Sequence, residues 1–356
     1  MTIPAAAPSE PPSDPALDRL HLVVTCTKRK RRAALARLRL REHRQPLISG
    51  RLSSWLKALN HPHDPADAVS VGDLYAGDHW QRARALPGLA AVRGVQARLW
   101  VCSAGYGLIP GDTCVYPYSA TFSGGHADSV WTAGQRLSYA DSVAGWWSAL
   151  ADWGGPAAGA PRSLQALAAL DPGAAIWVVA SETYLNAMAA DLLAAAGTLK
   201  NSEHLALISA GTPRLPGLEQ NQLQFDWRLQ GPQGPLGGAA MSLNIRVAQM
   251  LLEDGCEASA PSLNGRLQRY TRSIPRRERK MGKKASPAEV ESFIREELAA
   301  QPTASKTALL RKLRDDRSWA FEEKRFGRLL VKVRDDISPP AAHTDPPEKR
   351  SRKRVR

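Results

Sequence analysis

One stretch holds the densest set of chemically useful side chains: Ser103-Ala104-Gly105-Tyr106-Gly107-Leu108-Ile109-Pro110-Gly111-Asp112-Thr113, then Tyr116-Pro117-Tyr118-Ser119. A serine and two glycines straight after an apolar run let a backbone come close to a ligand. Three tyrosines offer flat faces, and Asp112 offers a carboxylate at a turn. The set suits a pocket that stacks a planar ring beside one carboxylate. The competing reading is a plain Gly-Asp-Thr turn with the tyrosines in the core. Other reaction classes lack their signatures. No G-x-x-x-x-G-K-[ST], G-x-S-x-G or H-E-x-x-H is present, no G-x-G-x-x-G follows the first apolar run, and the zinc-deaminase signature is missing. His61-Pro62-His63-Asp64 lies in a Pro-rich loop and reads as loop, so neither metal nor cofactor is expected.

These residues need elements to position them. Four apolar runs read as buried strands: His21–Cys26, Ala97–Cys102, Ala175–Ala180 and His204–Ser209. Helical patterns lie between them, around His79–Leu86 and from Tyr184 to Ala196, the latter expected to end at Gly197. The Leu/Ala/Arg stretch up to Arg44 also reads as helix. The alternation predicts an α/β fold with a mostly parallel sheet, in which ligands sit beyond the carboxyl ends of the strands. Thr25–Lys28, Ser103–Asp112, Ser181–Tyr184 and Ser209–Leu215 are then expected to line one crevice.

The chain has 356 residues, a formal net charge of +14 and a pI near 9.9. The charge is unevenly placed. Residues 28–44 carry nine Lys/Arg against Glu42 alone, residues 45–265 are net −5, and residues 266–356 are net +13. Two such blocks read as nucleic-acid contacts, because Lys and Arg that neutralise phosphates release condensed counterions. Four cysteines without C-x-x-C argue against a structural zinc site and against a disulfide framework. No apolar run reaches 18 residues, so no membrane association is expected and a cytoplasmic location is.

The expected organisation is a disordered leader over 1–18, an α/β catalytic domain over 19–265, a basic linker over 266–285, a three-helix DNA-binding unit over 286–337 and a disordered basic tail over 338–356. Ser286-Pro287-Ala288-Glu289 spells a capping box opening the first of the three helices. The third carries Lys324, Arg325 and Arg328 and is read as contacting DNA.

Thr25-Cys26-Thr27-Lys28-Arg29-Lys30, Asp73-Leu74-Tyr75, Ser103–Pro110 and Tyr116-Pro117-Tyr118 resemble the successive motifs of a prokaryotic domain family. In that family a Cys-Ser-Lys-Arg-Lys strand end, an Asp-Leu-Tyr element and a Ser-Ala-Lys-Tyr-Gly-Leu loop recur in this order. It is distantly similar to peroxide-stress DNA-binding proteins and to part of archaeosine synthase. The resemblance covers residues 20–130, and Thr27, Gly105 and Ser119 stand where the family has Ser, Lys and Asp. With its basic arms and helical tail, the whole resembles the anti-phage DNA glycosylases of the bacteriophage replication inhibition type, within the uracil-DNA glycosylase-like superfamily.

That resemblance implies a three-layer sandwich and hydrolytic excision of a modified base from phage DNA, glucosylated 5-hydroxymethylcytosine, leaving abasic sites. The implied partner is double-stranded DNA, with no obligate protein partner. The superfamily's Asp or Asn after the first strand is missing from Thr25–Lys30, so Asp112 is the first choice of carboxylate and Glu182 the second. Arg29, Lys30, Arg31 and Arg32 would grip phosphates, and Arg214 or Leu215 would fill the space left by the flipped base. Tyr106, Tyr116 and Tyr118 would stack on that base. Ser103, the backbone near Gly105 and Lys28 would receive charge on the leaving base. Thr25, Thr27, Ser181 and Ser209 complete the crevice. No lysine in the motifs is placed as a Schiff-base nucleophile, so a monofunctional hydrolase is expected. Two other readings stay open: a DNA-binding or DNA-protecting protein without catalysis, and a nucleobase-modifying transferase.

Overall fold

A computed structural model of the protein describes residues 17–132, 135, 137–211, 215–230, 234–237, 240–272, 274 and 282–337, with backbone alone at Trp227, Ala240 and Lys324. The expected leader (to residue 16) and tail lie outside the described residues. The chain divides into two compact units, one ending at Arg276 and the other beginning at Arg277.

The first unit opens with strand β1 (Arg19–Thr25), helix α1 (Ile48–Asn60), the two-residue strand β2 (Val69–Ser70) and the short α2 (Val71–Leu74). Helix α3 (Asp78–Val92) leads into β3 (Gln96–Ser103), which turns back as β4 (Gly107–Pro110) and continues to β5 (Cys114–Val115). Then come α4 (Tyr139–Asp152), α5 (Leu164–Leu170), β6 (Ala175–Val179), α6 (Glu182–Ala187), α7 (Ala189–Thr198), β7 (Leu205–Ile208), α8 (Leu243–Asp254) and α9 (Ala260–Arg272). The central sheet has the order β4-β3-β1-β6-β7. Val24 of β1 faces Val101 of β3 on one side and Val179 of β6 on the other, and Val179 faces Ile208 of β7, all in parallel register. Only β4 runs antiparallel, with Ser103 opposite Gly107. β6 and β7 are buried along their whole length, as parallel strands covered on both faces must be. β2 and β5 pair separately, antiparallel.

Four expected strands and the helix at α3 form as read, although α3 continues through Pro87 to Val92. Two expectations fail. The Leu/Ala/Arg stretch makes only 3₁₀ turns at Ala36–Leu38 and Leu40–Glu42. Its backbone is taken up elsewhere: Leu35 N–H donates to Pro117 C=O, Leu40 N–H to Ser119 C=O, and the buried Arg51 guanidinium donates to the Leu40 carbonyl. Tertiary hydrogen bonds override helix propensity here. The helix expected from Tyr184 to Ala196 is two helices broken at Met188, and Gly197 lies inside the second. The basic linker expected from residue 266 does not begin there. Arg266–Arg272 are the final turns of α9, whose Leu263, Leu267 and Thr271 are buried.

The second unit pairs β8 (Lys283–Lys284) with β9 (Trp319–Ala320) and packs α10 (Pro287–Ala300), α11 (Lys306–Asp315) and α12 (Glu323–Ile337) around its own core of Val290, Phe293, Ile294, Leu309, Phe326 and Val333. The capping box is present: Ser286 accepts from Glu289 N–H and the Glu289 carboxylate accepts from Ser286 N–H at 2.7 Å.

Candidate functional site at the carboxyl end of the sheet

After β1 the chain crosses to β3 on one side, and after β6 it crosses to β7 on the other. The switch point therefore lies between β1 and β6, where α/β sheets place their ligands. The residues just past these strand ends meet. The Cys26 thiol, immediately after β1, lies 3.2 Å from the Tyr184 hydroxyl of α6. The His79 ring, at the start of α3, faces the Thr25 backbone, its buried Nε2 has no hydrogen-bond partner among the described residues, and burial lowers its pKa. Asn244 of α8 donates to the Ala180 carbonyl and accepts from Ala210 N–H, tying the ends of β6 and β7 together at 2.8 Å each. Ser181 and Glu182 are exposed at this mouth, Glu182 in the first turn of α6. Thr183 next to it faces the Tyr139 hydroxyl, which donates to the Phe122 carbonyl, and the half-buried rings of Tyr139 and Trp131 meet edge to face 5.9 Å apart.

Beneath the mouth lies a hydroxyl network. Ser103 Oγ sits 2.6 Å from the Tyr118 hydroxyl, which sits 2.8 Å from that of Tyr75. Ser103 Oγ also accepts the N–H groups of Gly105 and Tyr106. Burial raises Tyr75, Tyr118 and Tyr184 well above the ordinary phenol pKa and raises Tyr106 as well, so all four stay neutral. Four carbonyls of this stretch are held by side chains packed against it. Trp146 donates to Ala104, Trp55 to Gly105, and Arg162 to Tyr106 and Leu108. Burial lowers Arg162 to about 10, still cationic at neutral pH.

The basic segment leaves this edge from β1. Its backbone is fixed against α2: Arg31 N–H donates to Leu74 C=O, Ala76 N–H to Arg29 C=O, and Lys30 forms an isolated bridge with Tyr75. Lys28, Arg29, Arg31 and Arg32 are exposed, whereas Lys30 is half-buried. Its Nζ stands 4.4 Å from the centre of the Tyr118 ring and 5.6 Å from that of Tyr75, and donates to the Thr27 carbonyl at 3.3 Å. Burial lowers its pKa, against the opposing pull of Cys26 and Asp128. Asp128 itself is fully buried. Burial pushes its carboxyl up, but the bonds from Arg41 (2.9 and 2.5 Å) and Ser119 (2.7 Å) prevail and hold it below the usual value.

Of the residues expected at the site, the structure gathers Thr25, Thr27, Lys28, Lys30, Ser181 and Glu182 at the mouth, and Ser103, Gly105, Tyr106 and Tyr118 beneath it. The second group is not available for stacking. Tyr118 is fully buried, Tyr106 is 3% exposed, and their rings pack edge to face 5.0 Å apart. Gly105 accommodates the Tyr118 ring and not a ligand, since a Cβ there would stand 2.5 Å from two ring carbons. Tyr116 is half-buried against His63. Ser209 is buried and its Oγ has no partner among the described residues.

Asp112 is misplaced by the expectation. Antiparallel β4 carries the chain back along β3, so Asp112 is exposed in a shallow depression with Gly72, Arg84, Pro87 and Arg98, beside Leu99 and away from the strand's carboxyl end. Leu215 is in the core at 3% exposure and is no wedge, and Arg214 lies outside the described residues. In the second unit Arg325 and Arg328 are exposed on α12, with Arg325 over the Phe321 ring, and Lys324 belongs to the same helix.

Sequence reasoning missed the Cys26–Tyr184 pair, Tyr75, Asn244, His79 and the Trp131–Tyr139 pair. Among the described residues no cluster of His, Cys, Asp or Glu is arranged to hold a metal ion, and no helix is long and apolar enough to cross a membrane. No protein-family model, no curated protein and no solved structure matches the chain.

Proposed function

We propose that the first unit is a DNA glycosylase that flips out a modified base and hydrolyses its N-glycosidic bond. One observation carries this reading: the exposed cations Lys28, Arg29, Arg31 and Arg32 leave the carboxyl end of β1 beside the end of β6, where Glu182 stands. A basic segment and an exposed carboxylate, without a partner among the described residues, thus share the carboxyl end of the sheet at its switch point. The three-layer sandwich of the uracil-DNA glycosylase-like superfamily belongs to the same reading.

Flipping costs a few kcal/mol of unstacking. Bonds from phosphates to the basic segment offset that cost, and the exposed Arg325 and Arg328 of α12, with Lys324, add grip as a helix-turn-helix unit. Bond cleavage leaves the electron pair on the departing base and develops positive charge on the sugar. In this reading Glu182, not Asp112, stabilises that charge and orients the attacking water. The Trp131–Tyr139 pair, which faces Thr183 beside Glu182, takes the stacking role that Tyr106 and Tyr118 cannot.

The test uses duplex DNA bearing glucosylated 5-hydroxymethylcytosine, scored for abasic sites. Glu182→Gln is expected to slow base release by about 10²-fold or more, while Asp112→Asn keeps the wild-type rate. Failure to release any base from glucosylated, unmodified and uracil-containing duplexes would overturn the reading. A second reading, a DNA-binding or DNA-protecting protein without catalysis, is favoured by the self-satisfied Tyr75–Tyr118–Ser103 network, which needs no substrate to complete it. Under it Glu182→Gln changes neither affinity nor the DNA.

A further inference from the structure

The cations of the second unit fall into two sets. One set is tied down. Lys312, Arg317 and Lys332 reach Glu297, Glu296 and Glu291 of α10 at 2.7, 3.2 and 2.8 Å, and Arg295 of α10 reaches Asp336 of α12 at 2.5 Å. Arg334 donates to the Ala304 carbonyl. The other set stands in solvent. Within it, Arg311 and Arg314 of α11 have neither an ion pair nor a hydrogen bond among the described residues, whereas Arg325 of α12 already lies over the Phe321 ring. With Thr307, these two guanidiniums occupy positions i, i+4 and i+7 of α11, on the face turned away from the buried Leu309 and Leu313. They line a cleft of about 460 Å³ that Leu310, Lys306, Asp315 and Glu323 complete. Lys306 donates to Glu323 at 2.8 Å, and its stem lies 3.6 Å from where a Cβ on Gly327 would stand, so this pair holds α11 against α12. The Lys306 bond keeps the Glu323 carboxyl below its usual value, and Arg314 adds to that pull. With Lys306 and Glu323 cancelling, two guanidiniums face Asp315 alone, and the cleft is net positive.

We infer that this cleft on α11 is a DNA-backbone site, in which Arg311 and Arg314 donate to consecutive phosphates of one strand and the Thr307 hydroxyl donates to one of them. This rests on the reading of DNA as the partner and on none of the excision chemistry. A guanidinium fork matches two phosphate oxygens at once. Thr307 and Arg314 are seven residues apart, about 10 Å along the helix, and a duplex strand carries a phosphate every ~3.4 Å of its axis. The row is therefore long enough for two phosphates. Arg311 and Arg314 neither pair nor pack, so they contribute nothing to holding the three helices together. The contact adds to that of the α12 cations and comes from a helix that the basic pattern of α12 overshadows. Phosphate contacts set position and carry no base sequence, so the cleft grips any duplex.

The experiment follows binding of the full chain to an unmodified duplex by fluorescence anisotropy over a range of salt, so base release is not needed. The double variant Arg311→Gln/Arg314→Gln is expected to bind more weakly and to lower the logarithmic salt slope by about 1.8, two contacts at about 0.9 each. The loss is expected to be equal on two duplexes of unrelated sequence. The control, Lys312→Gln/Lys332→Gln, removes the same charge from cations that α10 already pairs, and is expected to keep the slope. All four positions are exposed and outside the core, so both variants should fold, which circular dichroism melting checks. An unchanged slope in Arg311→Gln/Arg314→Gln, or an equal drop in the control, overturns the inference. A wild-type chain that binds no duplex overturns it together with the proposed function. The expected loss of slope, without base release from any modified duplex, sinks the glycosylase reading alone.

Discussion

Gly105 has no room for a side chain, and its neighbour cannot step aside. The Tyr118 ring that a Cβ would strike is anchored through its hydroxyl to Ser103 and Tyr75. Gly105→Ala is therefore expected to destabilise the fold by about 1–3 kcal/mol, the usual range for overpacking, read as a lowered urea midpoint with the slope unchanged. The same residues show what could be read in advance. The polar density from Ser103 to Ser119 points to a ligand pocket, but residue type does not say which way a hydroxyl points. Here Ser103, Tyr118 and Tyr75 satisfy one another, so the polar groups turn into the core while the mouth is built by Cys26, Tyr184 and Glu182. Lys30 and Lys28 are two residues apart and alike on paper. What separates them is the pairing with Tyr75, distant in sequence, which no local pattern announces.

Helix α3 begins on a carboxylate that its surroundings keep ionised. Bonds from Arg246, Ser242 and Arg82 hold the Asp78 carboxyl at about 2. An unfolded Asp titrates near 3.9, so this stabilisation is complete above about pH 4 and is lost as the pH falls from there toward 2. Asp78→Asn is expected to lower the denaturation midpoint at pH 7, with the gap to wild type closing by about pH 2. A gap that stays constant with pH would mean that the Asn simply packs badly. Elements of this kind were legible to very different degrees. β1, β3, β6 and β7 declared themselves because strands covered on both faces must be continuously apolar, and α10 because its capping box is spelled out in four letters. Helices α1, α4 and α8 were not read at all. The stretch before Arg44 misled because its composition favours helix, while its donors and acceptors are claimed by Pro117, Ser119 and Arg51.

At the scale of the molecule, two cores share no residue, one built on the sheet and the helices that cover it and one among α10, α11 and α12. A chain cut after Arg276 is expected to keep a cooperative melting transition near that of the intact first unit, followed by the tryptophan fluorescence of Trp55, Trp100 and Trp146. Its DNA affinity, measured by anisotropy over a range of salt, should fall less steeply with concentration than the full chain's, because each lost phosphate contact removes about 0.9 from the logarithmic slope. An unchanged slope would remove the second unit from the DNA interface. The boundary itself was half legible. Charge alone marked a change at 266, but the buried Leu263, Leu267 and Thr271 hold that basic stretch to the first unit as helix. One feature of the sheet's edge also governs timing. The turn between β3 and β4 has its carbonyls gripped by Trp146, Trp55 and Arg162 and its Gly105 and Tyr106 amides gripped by Ser103. Those amides cannot trade hydrogen for deuterium by a local flicker, so a segment that looks like a loop keeps the slow clock of the strands beside it.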